Sequence, residues 1–179
     1  MALLKTIRQP VLEQIKQQIE AAVPPAIKRD FLAVVVTGMR LIYDPKTNPI
    51  AVKYLEEALQ KYEAPMAVAM AALHVVAVVA RESKGKIRVD AAIYAAMVFM
   101  VYIWEFVQAK QRSEVTPQMV SASTRVLVPS VLRLFGITNE QLAKGIEAAR
   151  QTGAAAPPSP QPGPPPGPQL AAPTGSVEG

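Results

Sequence analysis

The single histidine is the side chain in this sequence best suited to acid–base chemistry. His74 lies in the apolar run 73–76. A functional interpretation makes it a proton switch or a general base. The alternative is a histidine of the core or of an interface, hydrogen-bonded to a backbone carbonyl, and the apolar surroundings favour that alternative. The absence of a second histidine at helical spacing excludes a metal site built on a histidine pair.

The other reactive residue types are not arranged for catalysis. The three aspartates, Asp30, Asp44 and Asp90, are unpaired in the sequence, and the adjacent Glu56 and Glu57 are typical of a solvated helix face. The serines at 121–123 have no nearby base. The chain has no cysteine, which excludes thiolate catalysis and cysteine-ligated metals. The sequence therefore predicts no enzyme activity, no cofactor and no metal site.

Composition divides the 179-residue chain into two unlike parts. Half of the residues are hydrophobic, the net charge is +5, and 17 residues are proline. Nine of those prolines lie in the segment 151–179, which contains only one charged residue. Such a segment cannot bury enough apolar surface to fold. We therefore predict a helical domain over 1–150 and a disordered Pro/Gly-rich tail over 151–179, with stretches of polyproline II.

Apolar residues at spacings of three and four predict an all-α fold for the domain. Prolines open several of these runs, which suits the first turn of a helix. The pattern predicts a compact bundle of about six or seven helices, at 10–23, 25–43, 49–63, 64–80, 91–104, 117–135 and 139–151.

Polar residues and prolines mark the predicted helix ends. Asn48 and Thr116 precede prolines and are expected to be N-caps. Thr138 and Gln141 have the spacing of a capping box, in which each side chain binds the backbone N–H of the other residue. Pro129 lies inside the sixth predicted helix, so a kink or break is expected near 127–128.

Two uncharged segments, 64–80 and 91–104, predict an antiparallel helical hairpin at the centre of the domain. A basic turn at 81–88 joins them, with Gly85 as the breaker, and Asp90 is expected to cap the second arm. Crossing a bilayer takes roughly 20 apolar residues. Arms of 17 and 14 residues would be about 25 and 21 Å long. This length favours burial in protein, with membrane insertion as the alternative.

Two sets of residues are candidates for contacts with partners. The basic turn could make nonspecific contacts with nucleic acid phosphates, through Arg81, Lys84, Lys86 and Arg88. The candidate core or interface residues are Met70, His74, Phe99 and Trp104.

The order of several segments resembles that of small all-helical structural proteins carried in the particles of tailed bacteriophages. These segments are the amphipathic N-terminus from 3–11, the apolar helix and turn at 78–85, and the stretch 136–142 that leads into the tail. The resemblance implies a virion component without catalysis. Such a protein is packaged inside the head or near the portal, is ejected with DNA, and is assembled into the virion in the host cytoplasm.

Three functional hypotheses follow from these observations. The leading one is a non-enzymatic virion structural protein that packs against other virion proteins or against itself. The alternative is a membrane-active phage protein, holin-like or envelope-inserting, that places the hairpin of 64–80 and 91–107 in the host inner membrane. A third is a small bacterial scaffold whose proline-rich tail recruits a partner.

Overall fold

A computed structural model describes residues 10–111, 114–138, 140–141 and 143–144 of the chain. These residues form an all-α fold with no strand, as predicted. The six α-helices are α1 (Pro10–Ala22), α2 (Lys28–Tyr43), α3 (Asn48–Lys61), α4 (Ala64–Glu82), α5 (Val89–Gln111) and α6 (Pro117–Leu134), and a short 3-10 helix (Pro25–Ile27) precedes α2.

The chain divides into two units, Met1–Leu142 and Ala143–Gly179. All six α-helices belong to the first unit. The predicted seventh helix at 139–151 is described only at 140–141 and 143–144, and these four residues are helical. The predicted disordered tail at 151–179 lies outside the described residues, so its conformation and the domain boundary at 150 remain predictions.

Helices α4 and α5 form the predicted hairpin and lie at the centre of the first unit. Helix α4 contacts α2, α3, α5 and α6, and helix α5 contacts α1, α2, α4 and α6. Small side chains line both helices of the hairpin, and this allows their backbones to approach closely. The fully buried members of this set are Ala67, Ala72, Ala91, Ala92, Ala95 and Ala96. The surrounding amphipathic helices thus account for the apolar composition of the hairpin.

Both central helices are longer than the sequence pattern predicted. Helix α4 has 19 residues and helix α5 has 23, which gives lengths of about 28 and 34 Å. The predicted arms were too short because charged residues at their ends, such as Arg81 and Glu105, continue the helices. Within the described residues, these two helices are long and apolar enough to cross a membrane, with mean hydropathies of 1.8 and 1.5. Length therefore does not argue against a membrane span, and the bundle buries 44 and 56% of the residues in the apolar windows of α4 and α5.

Of the two predicted N-caps, Thr116 is confirmed and Asn48 is wrong. Thr116 caps α6 as predicted, and its hydroxyl accepts a hydrogen bond from the Met119 N–H at 3.3 Å. Asn48 is not an N-cap, because Thr47 occupies that position at the start of α3. The Asn48 amide instead donates to the Ile42 carbonyl at 2.6 Å. This bond ties the start of α3 to the end of α2.

Helix α6 ends at the glycine that the sequence predicts, but the proline in its interior does not interrupt it. Helix α6 is continuous through Pro129, so the predicted break is wrong, whereas the alternative, a kink, stays a prediction. Leu127 and Val131, which flank the proline, are both fully buried and anchor the helix on either side. Gly136 ends the helix with a φ of +78°, a conformation that glycine adopts without steric cost. The capping box that follows is confirmed, with bonds of 3.0 and 3.3 Å between Thr138 and Gln141.

A buried polar pair joins α5 to α6. The Trp104 Nε1–H donates to the Ser123 hydroxyl at 3.2 Å, and that hydroxyl donates to the Met119 carbonyl at 3.1 Å. The hydroxyl of the next residue, Thr124, lies 3.8 Å from the sulfur of Met100, which is one turn before Trp104 on α5. Only five residues connect the end of α5 at Gln111 to the start of α6 at Pro117, and in these contacts residue numbers rise along α6 as they fall along α5, so the two helices are antiparallel.

Candidate functional surface

An apolar stripe lies on the outward face of α2. Its members are Leu32, Val36, Met39 and Tyr43, which follow one another at spacings of four, three and four. Leu32, Val36 and Tyr43 are 49, 50 and 60% exposed, and Met39 is half-buried. The opposite face of α2 enters the core through Phe31, Val34 and Gly38. Helix α2 is therefore apolar on both faces, although the bundle buries only one of them.

An aromatic groove adjoins the stripe at Tyr43. The groove lies between α2, α3, α4 and α5 and has a volume of about 80 Å³. Phe106 on α5 is 40% exposed at this groove. The aromatic rings that line it are Tyr43, Tyr54, His74, Tyr102 and Phe106. The stripe and the groove together form one apolar surface, which we call the α2 surface.

His74 lies at this groove rather than in the core. Its side chain is exposed, and its ring stacks on Tyr54 of α3, with 4.4 Å between the ring centroids and 20° between the ring planes. The prediction that His74 lies in the core is therefore wrong. This residue of α4 faces α3 at the surface of the bundle. An interface role for His74 stays a prediction.

The other candidate core or interface residues lie apart from the groove. Phe99 and Trp104 are fully buried in α5, and Met70 is half-buried on α4. Of the four candidates, only His74 lines the α2 surface. Sequence reasoning missed Tyr43 and Tyr54 as surface residues. The signal available was the second apolar stripe of α2, since a helix that packs on one side needs only one.

The four candidates of the basic turn are all exposed. Arg81, Lys84, Lys86 and Arg88 lie on or beside the turn between α4 and α5. At the C-terminal end of α4, the Gly85 N–H donates a hydrogen bond to the Ala80 carbonyl at 3.1 Å. Gly85 has a φ of +73°, as expected for the breaker, and Lys84 has a φ of +53°. Lysine is uncommon in this left-handed region.

Within the basic turn, Arg88 differs from the other three residues because it is paired. Its guanidinium donates to both Asp90 carboxylate oxygens, at 3.1 and 2.8 Å. These bonds lower the pKa of Asp90, so the carboxylate keeps its charge and compensates that of Arg88. Asp90 also accepts from the Ala91 N–H at 2.9 Å. It lies inside the first turn of α5 rather than before it, since the helix begins at Val89.

The part of the chain that the structure describes contains no group of three histidine, aspartate or glutamate side chains that could hold a metal ion. No protein-family model, no curated protein and no solved structure matches this chain. Function is therefore inferred from the two surfaces described above, the α2 surface and the basic turn.

Proposed function

We propose that this chain is a non-enzymatic structural protein that works by association of helices, first of all with a second copy of itself. The observation that carries the proposal is the stripe of Leu32, Val36, Met39 and Tyr43 on α2. Exposed apolar side chains that form a continuous row mark interaction surfaces, whereas isolated ones do not. The helical spacing of the row suits packing against another helix.

The aromatic groove supports the same function. Large aromatic side chains supply much of the binding energy at protein interfaces, above all where they lie in a pocket. Tyr43 belongs to both the stripe and the groove, so a helix packed along α2 would also cover Phe106. Burial of the exposed half of Leu32, Val36 and Tyr43 would contribute about 1 kcal/mol per residue.

The double substitution Leu32→Glu and Val36→Glu is expected to abolish self-association and leave the fold intact. Both side chains point away from the core, so the added carboxylates stay in water in the monomer but would be buried without partners at the interface. Sedimentation equilibrium should show a shift from dimer to monomer. The far-UV circular dichroism spectrum should not change.

The control for this experiment is Gln60→Glu, which adds a carboxylate at an exposed position of α3 and should leave association unchanged. A wild-type chain that sediments as a monomer at about 100 μM, well above the Kd expected for a specific interface, would contradict the proposal.

The place of this association is proposed to be a bacteriophage particle, on the strength of the resemblance in the segments 3–11, 78–85 and 136–142. Mass spectrometry of purified particles tests this part separately. Recovery of the chain at a constant number of copies per particle would support it, and absence from the particles would remove it.

Membrane insertion is a second candidate function, and the length and hydropathy of α4 and α5 favour it. Fractionation of expressing cells distinguishes the two candidates. A protein of the bundle type should remain in the soluble fraction, or leave the membrane pellet after washes with high salt and carbonate. A chain that is extracted only by detergent and that arrests growth would support insertion instead.

A further inference from the structure

Three separate elements bring basic side chains to one end of the helical unit. The first is the turn between α4 and α5, with Arg81, Lys84 and Lys86. The second is the start of α2, which lies beside this turn: a cavity of about 360 Å³ is lined by Asp30 and Val34 of α2 and by Glu82 and Lys86. Exposed Lys28 and Arg29 lie at this N-terminal end of α2.

The third element is the end of α6. Thr124 lies beside Met100 of α5, and the two helices are antiparallel. Arg133 lies nine residues after Thr124, which is about 13 Å further along α6. Asp90 lies ten residues before Met100, which is about 15 Å back along α5. Exposed Arg133 is therefore level with the start of α5, at the same end as the basic turn.

The three elements form a row rather than a ring. Helices α4 and α5 each contact both α2 and α6, so the hairpin separates α2 from α6. With about 8–10 Å between neighbouring helix axes, the row is about 16–20 Å long. We call this row the basic end, and its members are Lys28, Arg29, Arg81, Lys84, Lys86 and Arg133.

The basic end carries a net positive charge that its own carboxylates do not cancel. None of its six members takes part in a salt bridge with another described residue. Arg88 is excluded from the set because Asp90 pairs with it. The carboxylates nearby are Asp30 and Glu82, and Glu140 follows α6. Six cations thus face three carboxylates.

We propose that the basic end binds the phosphate backbone of nucleic acid without reading its sequence. Duplex DNA carries one negative charge per about 1.7 Å of axis, so a row of this length can contact several phosphates. The contacts come from long, exposed lysine and arginine side chains, which suit phosphate binding. The proposal is independent of association through α2, because that surface uses other residues.

The observations favour phosphates of nucleic acid over an anionic lipid surface. Proteins that lie on a bilayer place apolar side chains among their basic ones. In the basic turn the one such side chain, Ile87, is partly buried and packs against the core. Leu134 beside Arg133 is 42% exposed and is a single residue. Leu32, one turn after Lys28, is 49% exposed, but it begins the stripe that runs along α2 away from this end.

The backbone at Lys84 supplies a variant that removes charge without removing stability. Glycine tolerates a φ of +53° better than lysine does, so Lys84→Gly should leave the Tm unchanged or raise it. A chain with Lys84→Gly and Lys86→Gln loses two charges at the basic end. The matched control, Lys46→Gln with Lys53→Gln, loses two charges on the α2–α3 turn and on α3.

The test is fluorescence anisotropy of the full chain with a labelled 20-base-pair DNA duplex of random sequence at 50 to 200 mM salt. Contact with about four or five phosphates gives a slope of log K against log salt near −4, which is a loss of affinity of about 10²–10³-fold over this range. The Lys84/Lys86 variant should reduce this slope by nearly two. The control should keep the wild-type slope.

Three outcomes would overturn the proposal. The first is equal losses of affinity in the two double variants, which would show that binding depends on overall charge rather than on the basic end. The second is no binding of the duplex at 50 mM salt. The third is binding to vesicles of phosphatidylglycerol, but not to DNA, by a chain that does not bind phosphatidylcholine vesicles.

Discussion

Replacement of Ala72 by arginine is expected to prevent the chain from folding in solution. Ala72 is fully buried in α4 at the centre of the bundle. An arginine there would place a charge without a partner in the core and would also overfill the space between helices. The two effects together cost several kcal/mol, comparable with the whole stability of a domain of this size. Soluble yield and far-UV circular dichroism measure the result.

The control for Ala72→Arg is His74→Arg, only two residues further along the same helix. His74 is exposed at the aromatic groove, so arginine there should lose only the stacking on Tyr54 and leave the fold intact. The two variants also distinguish a helical bundle from a membrane-spanning α4. Residue 74 is near the middle of α4, and an arginine at the centre of a bilayer would be costly as well. Normal folding of Ala72→Arg would show that α4 is not enclosed by protein.

The second large effect is expected for Gly38→Ala on α2. A methyl group at residue 38 would lie 2.1 Å from Cζ of Phe99 and 2.6 Å from its Cε1. Phe99 is fully buried, so its ring has no free space to enter. We expect a loss of about 2–3 kcal/mol in the free energy of unfolding, measured by urea denaturation. In an ordinary helix the same substitution raises the free energy of unfolding by about 1 kcal/mol. The direction of the change therefore shows whether Phe99 packs against Gly38.

A compensating substitution tests the cause of that loss. Phe99→Leu removes part of the ring that the new methyl group would meet, so the double variant should be more stable than the sum of the two single changes predicts. Strict additivity would show that Gly38 and Phe99 do not interact. A gain in stability from Gly38→Ala alone would contradict this packing of α2 against α5.

The sequence predicted the parts of the fold that depend on local chemistry. Proline at a first turn marks the starts of α1 and α6, and the capping box at Thr138 and Gln141 has the predicted bonds. The uncharged segments identified the central hairpin because amphipathic neighbours were available to cover it. These features follow from backbone geometry and from the period of the apolar residues, both of which can be read from neighbouring positions.

The features that sequence reasoning missed depend on contacts between distant segments. The exposure of His74 follows from where α3 lies against α4, and that position is set by the bond between Asn48 and Ile42 and by the packing of the core. Charged residues such as Arg81 end the uncharged segments of the sequence, but charge does not end a helix whose side chains reach water. The outward stripe of α2 can be read from the spacing of its apolar residues, but which of the two apolar faces of α2 is buried depends on contacts with distant helices.

The buried pair of Trp104 and Ser123 gives the chain a built-in optical reporter. Trp104 is the only tryptophan in the chain, so intrinsic emission excited at its absorption edge comes from one defined position. Its indole is shielded from water and donates a hydrogen bond to Ser123 of α6. The emission wavelength therefore depends on whether α5 and α6 are in contact. Denaturation followed by fluorescence reports on this helix pair, whereas circular dichroism averages over all helices. Disagreement between the two signals would reveal α6 leaving the bundle before the rest unfolds.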